Sequence, residues 1–87
     1  DSLSVFVHYS KTPIGNDFIK GKLRHIFSEK SLMFTSNSEH ADIIISDSIE
    51  NAKETSHNFF LEDIYNVSLW KELYSFIQNL LFELYHL

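Results

Sequence analysis

SVFVHYS (Ser4 to Ser10), KTPIGN (Lys11 to Asn16) and DFIKGKLRHIFSEK (Asp17 to Lys30) run on without a break, and their order decides the fold. The first reads as a buried strand, the second as a turn and the third as an amphipathic helix. Phe18, Ile19, Leu23, Ile26 and Phe27 recur at the three-four spacing of a core-facing stripe. Asn16 is placed to cap this helix, and Asp17 suits the dipole of its first turn. Gly21 weakens the helix middle by roughly 1 kcal/mol relative to alanine; beside a sheet, such a glycine allows close backbone approach. In open α/β folds the first strand-to-helix turn is where a nucleophile or phosphate cradle sits. Here the turn offers one Gly, one Pro, a Ser and a Thr, and the chain has no Cys. A frame built for chemistry with that seat empty points to a domain kept for binding or regulation.

Strands and helices go on alternating. SLMFTS (Ser31 to Ser36) reads as a short strand, followed by the polar turn NSEH. ADIIISDS (Ala41 to Ser48) is the clearest strand, because three consecutive Ile between Asp residues suit a strand covered on both faces. Ser48 to Glu54 has the makings of one or two helical turns. HNFFLED (His57 to Asp63) reads as a fourth strand and IYNV as a loop. Ser68 then caps a final helix running to about His86, roughly 30 Å long at 1.5 Å per residue.

Eighty-seven residues make one small domain, residues 1–87, near the lower limit for a self-sufficient core. With 44% hydrophobic and 15% aromatic residues, the chain can fill that core and is not disordered. The lack of Cys excludes disulfide staples and zinc ribbons and is compatible with a reducing, cytoplasmic setting. The chain starts at Asp1 without Met and ends on a helix, so it is expected to be the C-terminal fragment of a longer protein. Its net charge of -5 argues against a free-standing nucleic-acid binder. Residues 1–30 hold Lys11, Lys20, Lys22, Arg24 and Lys30 against three acids, while residues 31–87 hold nine acids against Lys53 and Lys71. Most of this is ordinary solvated surface. The sharper reading is that the two ends complement each other in self-association.

The final helix carries the strongest association signal. Leu69, Leu73, Ile77, Leu80, Leu84 and Leu87 share one face, which Trp70, Tyr74, Leu81 and Tyr85 widen to about half the circumference. Phe82 lies beyond that arc, among Lys71, Ser75, Gln78 and Glu83. Either the helix packs deeply into a small core, or it serves the core and a partner together through Trp70, Tyr74, Phe82 and Tyr85. It is no membrane span, because Lys71, Glu72, Gln78, Asn79 and Glu83 interrupt it.

The catalytic inventory is thin. His8, His25, His40, His57 and His86 have no metal-ligand spacing. His8 could approach the first loop and accept a phosphoryl group, although a lone histidine is more often structural. Asp42 and Asp47 bracket one strand, which puts them at opposite ends rather than in a carboxylate pair. Ser10 has no adjacent base or oxyanion motif, and Gly15 stands alone where a phosphate loop would need several glycines. No catalytic residue, cofactor or metal is expected.

The order of SVFVHYS, NDFIKGKLRHIFSEK, SLMFTS, ADIIISDS, HNFFLED and a final helix resembles the enzyme IIB domains of sugar phosphotransferase systems. That resemblance implies a four-stranded parallel sheet with a phosphorylated Cys at the end of the first strand. Ser10, or Tyr9, falls in that seat, so phosphocysteine chemistry is not inherited. The ADIIISD strand, the degenerate first loop and the aromatic-rich terminal helix more closely resemble the IIB-like domain that ends Gram-positive virulence regulators of the Mga and AtxA type. This resemblance implies a non-catalytic module that helps a transcription regulator form a homodimer, with DNA bound only by other domains.

The expected architecture is thus a small α/β three-layer sandwich, enzyme IIB-like, around a four-stranded mostly parallel sheet. The expected core is Val5, Val7, Phe18, Leu23, Ile26, Phe27, Ile43 to Ile45, Phe59, Leu61, Leu73, Ile77, Leu80 and Leu84. Right-handed crossovers would set the first and last helices on its covering layers. Two other functions stay open: phosphotransfer through His8 or Ser10 in place of Cys, and an adaptor domain of a signalling kinase.

Overall fold

The structure, a computed structural model, describes residues 2–86; Leu87, assigned above to the apolar face of the final helix, lies outside them. Strand β1 (Leu3–His8) is followed by helix α1 (Gly15–Ile26), β2 (Leu32–Phe34), β3 (Ile43–Ser46), β4 (His57–Phe60) and helix α2 (Val67–Tyr85). Single 3₁₀ turns at Ser38–His40 and Ile49–Asn51 lie in the connections before and after β3. The second of these is the short helical segment expected between Ser48 and Glu54.

All four strands are parallel, in the order β2-β1-β3-β4. Val5 pairs with Ile43, Val7 with Ile45, and Ile45 with Phe59. Leu3, Val5, Val7, Ile43 and Ile45 therefore share one face, against which Ile19 and Leu23 of α1 and Trp70, Leu73 and Ile77 of α2 pack. The two helices meet edge to edge there, with Phe18 on Trp70 at 6.3 Å and Phe27 on Tyr74 at 6.3 Å between ring centres.

Handedness explains why both helices lie on one face. The β1–α1–β2 crossover moves one way across the sheet, and the β2–β3 and β3–β4 connections move the other way. Right-handed crossovers then put α1 on one face and both 3₁₀ turns on the opposite face, and send α2 back beside α1. The contacts agree: Ser4 Oγ donates to the His40 carbonyl, Asn51 bonds His8 and Ser46, and Ile49 and Ala52 lie over Ile44. The third layer is thus only two turns thick. It still leaves Ile44 1% exposed, so the triple-Ile run is covered on both faces as its sequence requires.

Local details depart from expectation. Helix α1 begins at Gly15 without a side-chain cap, since the Asn16 carboxamide accepts instead from Tyr9 N at 2.7 Å. The cap of α2 is Asn66, whose side chain accepts from Leu69 N, and not Ser68. Ile26, expected in the core, is 49% exposed, because Phe27 turns into extended backbone just past the helix and fills the core at that point. Phe18 is also partly exposed, at 39%. Gly21 makes no close approach, and the tight glycine is Gly15, where a Cβ would collide with the Tyr9 ring and lie 3.1 Å from Thr12 Oγ1.

Two of the expected core residues separate cleanly by mutation. Leu73, fully buried, should lose about 3 kcal/mol on substitution by alanine, whereas Ile26→Ala should cost less than about 1 kcal/mol, both read from urea unfolding midpoints.

Candidate functional site

The strand order reverses its direction of winding between β1 and β3, so their carboxyl ends flank the crevice where open α/β sheets receive ligands. His8 and Ser46 form the last paired register there. The chain beyond β1 supplies Tyr9, Ser10 and Lys11, and the chain beyond β3 supplies Asp47 and Ser48.

Asp47 fills this crevice. Its Oδ2 accepts from Ser10 N at 2.9 Å, Lys11 N at 3.1 Å and Ser10 Oγ at 3.0 Å, while its own amide donates to the His8 carbonyl at 3.3 Å. Two successive amides aimed at one point form an anion-binding concavity, and here the anion comes from the chain itself. Asp47 is only 7% exposed. Burial pushes its carboxyl up, but the hydrogen bonds from Ser10 and Lys11 outweigh that and hold it below the ordinary aspartate value of 3.8.

Of the two residues expected in the degenerate loop, Tyr9 is 5% exposed and belongs to the core, with its ring against Gly15. Ser10 alone is at the surface, and its hydroxyl is engaged by the Asp47 carboxylate. Lys11 Nζ donates to the Glu62 carbonyl at 2.6 Å, which ties the loop to the segment after β4. Thr12 Oγ1 is buried with no hydrogen-bond partner among the described residues.

His8 is exposed, and its Nδ1 lies 3.1 Å from Asn51 Nδ2, which also donates to Ser46 Oγ at 2.9 Å. Asp42 sits at the opposite end of β3, where it accepts from Ser4 N at 2.8 Å and Ser4 Oγ at 3.1 Å. The two aspartates are therefore separate clasps between β1 and β3, as their spacing implied. Among the described residues, no three His, Asp or Glu side chains form a group that could hold a metal ion.

The aromatic candidates on α2 divide. Trp70 is 5% exposed, and its indole Nε1 donates to the Ile64 carbonyl at 2.7 Å, so it is an internal packing residue and not a surface anchor. Tyr74 is half-buried between Phe27 and Trp70, and burial pushes its hydroxyl pKa up. Phe82 is 62% exposed, with His86 stacked on it at 4.0 Å, and Tyr85 is exposed too. Sequence reasoning missed a second aromatic group at the start of the helical layer, where exposed Tyr65 lies 6.4 Å from Phe18. The signal was the Tyr in the IYNV loop, a large ring in a segment too short to bury it.

No protein-family model, curated protein or solved structure matches this chain. No helix among the described residues is long and apolar enough to cross a membrane.

The clasp makes a pH-dependent prediction. A carboxyl whose folded pKa lies below its unfolded value contributes stability that is fully present above the unfolded value and disappears as pH falls through the folded one. Asp47→Ala should therefore cost about 2 kcal/mol at pH 7, through the orphaned Ser10 and Lys11 amides. The gap from the parent chain should narrow as pH drops through the acid range below 3.8, measured by urea unfolding at a series of pH values.

Proposed function

We propose that this chain is a non-catalytic regulatory and self-association module, the terminal domain of a cytoplasmic transcription regulator of the type its sequence resembles. The observation that carries this reading is the occupied crevice. The amides that would greet a phosphoryl group after β1 are already bonded to Asp47, and a second anion there would meet a buried like charge. Among the described residues, Ser10 is bonded by side chain to Asp47 and to no histidine. DNA contact is then the task of other domains of the parent protein, consistent with the net charge of -5.

Self-association is supported by the length of α2. Its 19 residues extend about 28 Å, against about 13 Å for β3 and β4 and about 20 Å for β1. Ile77 is its last buried residue, and the helix continues to Tyr85. Beyond Ile77, Leu80, Leu81 and Leu84 are half-buried against the core, while Phe82 and Tyr85 are exposed. Large exposed aromatics of this kind are typical anchors of interface cores.

The competing reading is phosphotransfer through Ser10 or His8, favoured by a carboxylate 3.0 Å from Ser10 Oγ in the position of a general base. Incubation with a phosphorylated carrier protein, followed by intact-mass measurement, separates the two. The regulatory reading expects no adduct, and a stoichiometric phosphoryl adduct on Ser10 or His8 would overturn it. Sedimentation at about 100 μM should give a dimer, as interfaces of standard size do. Phe82→Ser should dissociate that dimer and leave the circular dichroism spectrum unchanged.

A further inference from the structure

Gly21 sits mid-helix in α1, and the chain's own packing does not account for it. Mid-helix glycine is destabilising by roughly 1 kcal/mol relative to alanine. A Cβ at Gly21 would meet nothing within 4 Å, so no internal neighbour requires the missing side chain. Asp17, Phe18, Lys22 and His25 surround it in an open depression on the outer side of α1. Lys22 Nζ lies 5.0 Å from the centre of the Trp70 ring, so the side chain leans from this face towards α2.

We infer that this depression receives the exposed end of α2 from a second copy of the chain, with Phe82 of one copy seated on Gly21 of the other. The inference rests on the self-association reading above and adds its geometry. Charge selects the pairing. Helix α1 carries Lys20, Lys22 and Arg24 against Asp17, while α2 carries Glu72 and Glu83 against Lys71. Stacking α1 on α1 would oppose like charges, whereas α1 on the partner's α2 opposes unlike ones.

Reach permits it as well. Lys22 over Trp70 sets Gly21 level with the first turn of α2. Phe82 is twelve residues beyond Trp70, about 18 Å further along the helix. A twofold axis normal to the helical layer, passing between α1 and α2 about halfway from Trp70 to Phe82, places each Phe82 over the partner's Gly21 at once and runs the facing helices antiparallel. The contact is then isologous and closed. The missing Cβ lets an aromatic ring rest directly on the α1 backbone.

The test uses the absence of native cysteines. In this arrangement Asp17 lies beside the partner's His86, and both are exposed. The two His86 residues lie far apart. Asp17→Cys and His86→Cys chains, mixed under oxidising conditions, should yield a disulfide-linked pair at least about tenfold more abundant than either variant linked to itself. Gly21→Trp, which blocks the seat, should weaken the dimer at least about tenfold with unchanged circular dichroism. Preferential His86→Cys self-linkage, no linkage in a chain that sediments as a dimer, or full affinity in Gly21→Trp would overturn this seating and leave self-association standing. A parent chain that stays monomeric at about 100 μM would overturn both.

Discussion

The hydrogen bonds from the Ser10 and Lys11 amides to the Asp47 carboxylate hold together the part of the molecule where the topology leaves a gap. At the carboxyl ends of β1 and β3 the connections diverge, one towards β2 and the other towards β4. Polar backbone exposed in that fork must be satisfied by a ligand, by water or by the chain. Here a buried side chain does it, and Asp42 performs the matching task on Ser4 at the other end of the same strand pair. The central strands are thus clasped at both ends by the carboxylates that flank β3, in the register that buries Val5, Val7, Ile43 and Ile45 on one face.

From that register follows an unequal sandwich. One face holds two helices and the main core, and the other holds two single 3₁₀ turns. The thin face is pinned by polar contacts, with Asn51 bonding His8 and Ser46 and Asn58 bonding the backbone of Lys53 and Ser56. On the thick face, α2 sinks Trp70, Leu73 and Ile77 into the core, rests Leu80, Leu81 and Leu84 against its edge, and leaves Phe82 and Tyr85 exposed. The regulatory proposal draws on both ends of the molecule: an internally filled crevice at one and an exposed aromatic pair, Phe82 and Tyr85, at the other.

Much of this was legible in the residues. The triple-Ile run demanded cover on both faces, and the alternation of elements demanded a parallel sheet. The separation of Asp42 and Asp47 followed from strand geometry alone. What escaped was set by tertiary register. Asn16 has the composition of a helix cap, yet its carboxamide is drawn away by Tyr9 N across the tight turn. Trp70 looked like surplus aromatic surface until Ile64 supplied a buried carbonyl for its indole. Ile26 has core periodicity, but the chain bends inward one residue later at Phe27. Asp47 was visible as a strand-end acid, and its task depends on a loop 36 residues away.

The central claim is that Asp47 serves as the resident anion of the crevice. Its most direct test is an NMR titration that follows the Asp47 carboxyl carbon together with the Ser10 and Lys11 amides. The account predicts an Asp47 midpoint below 3.8, with both amide resonances moving at that same midpoint. A midpoint at or above 3.8, or amides that do not respond as Asp47 is protonated, would contradict it.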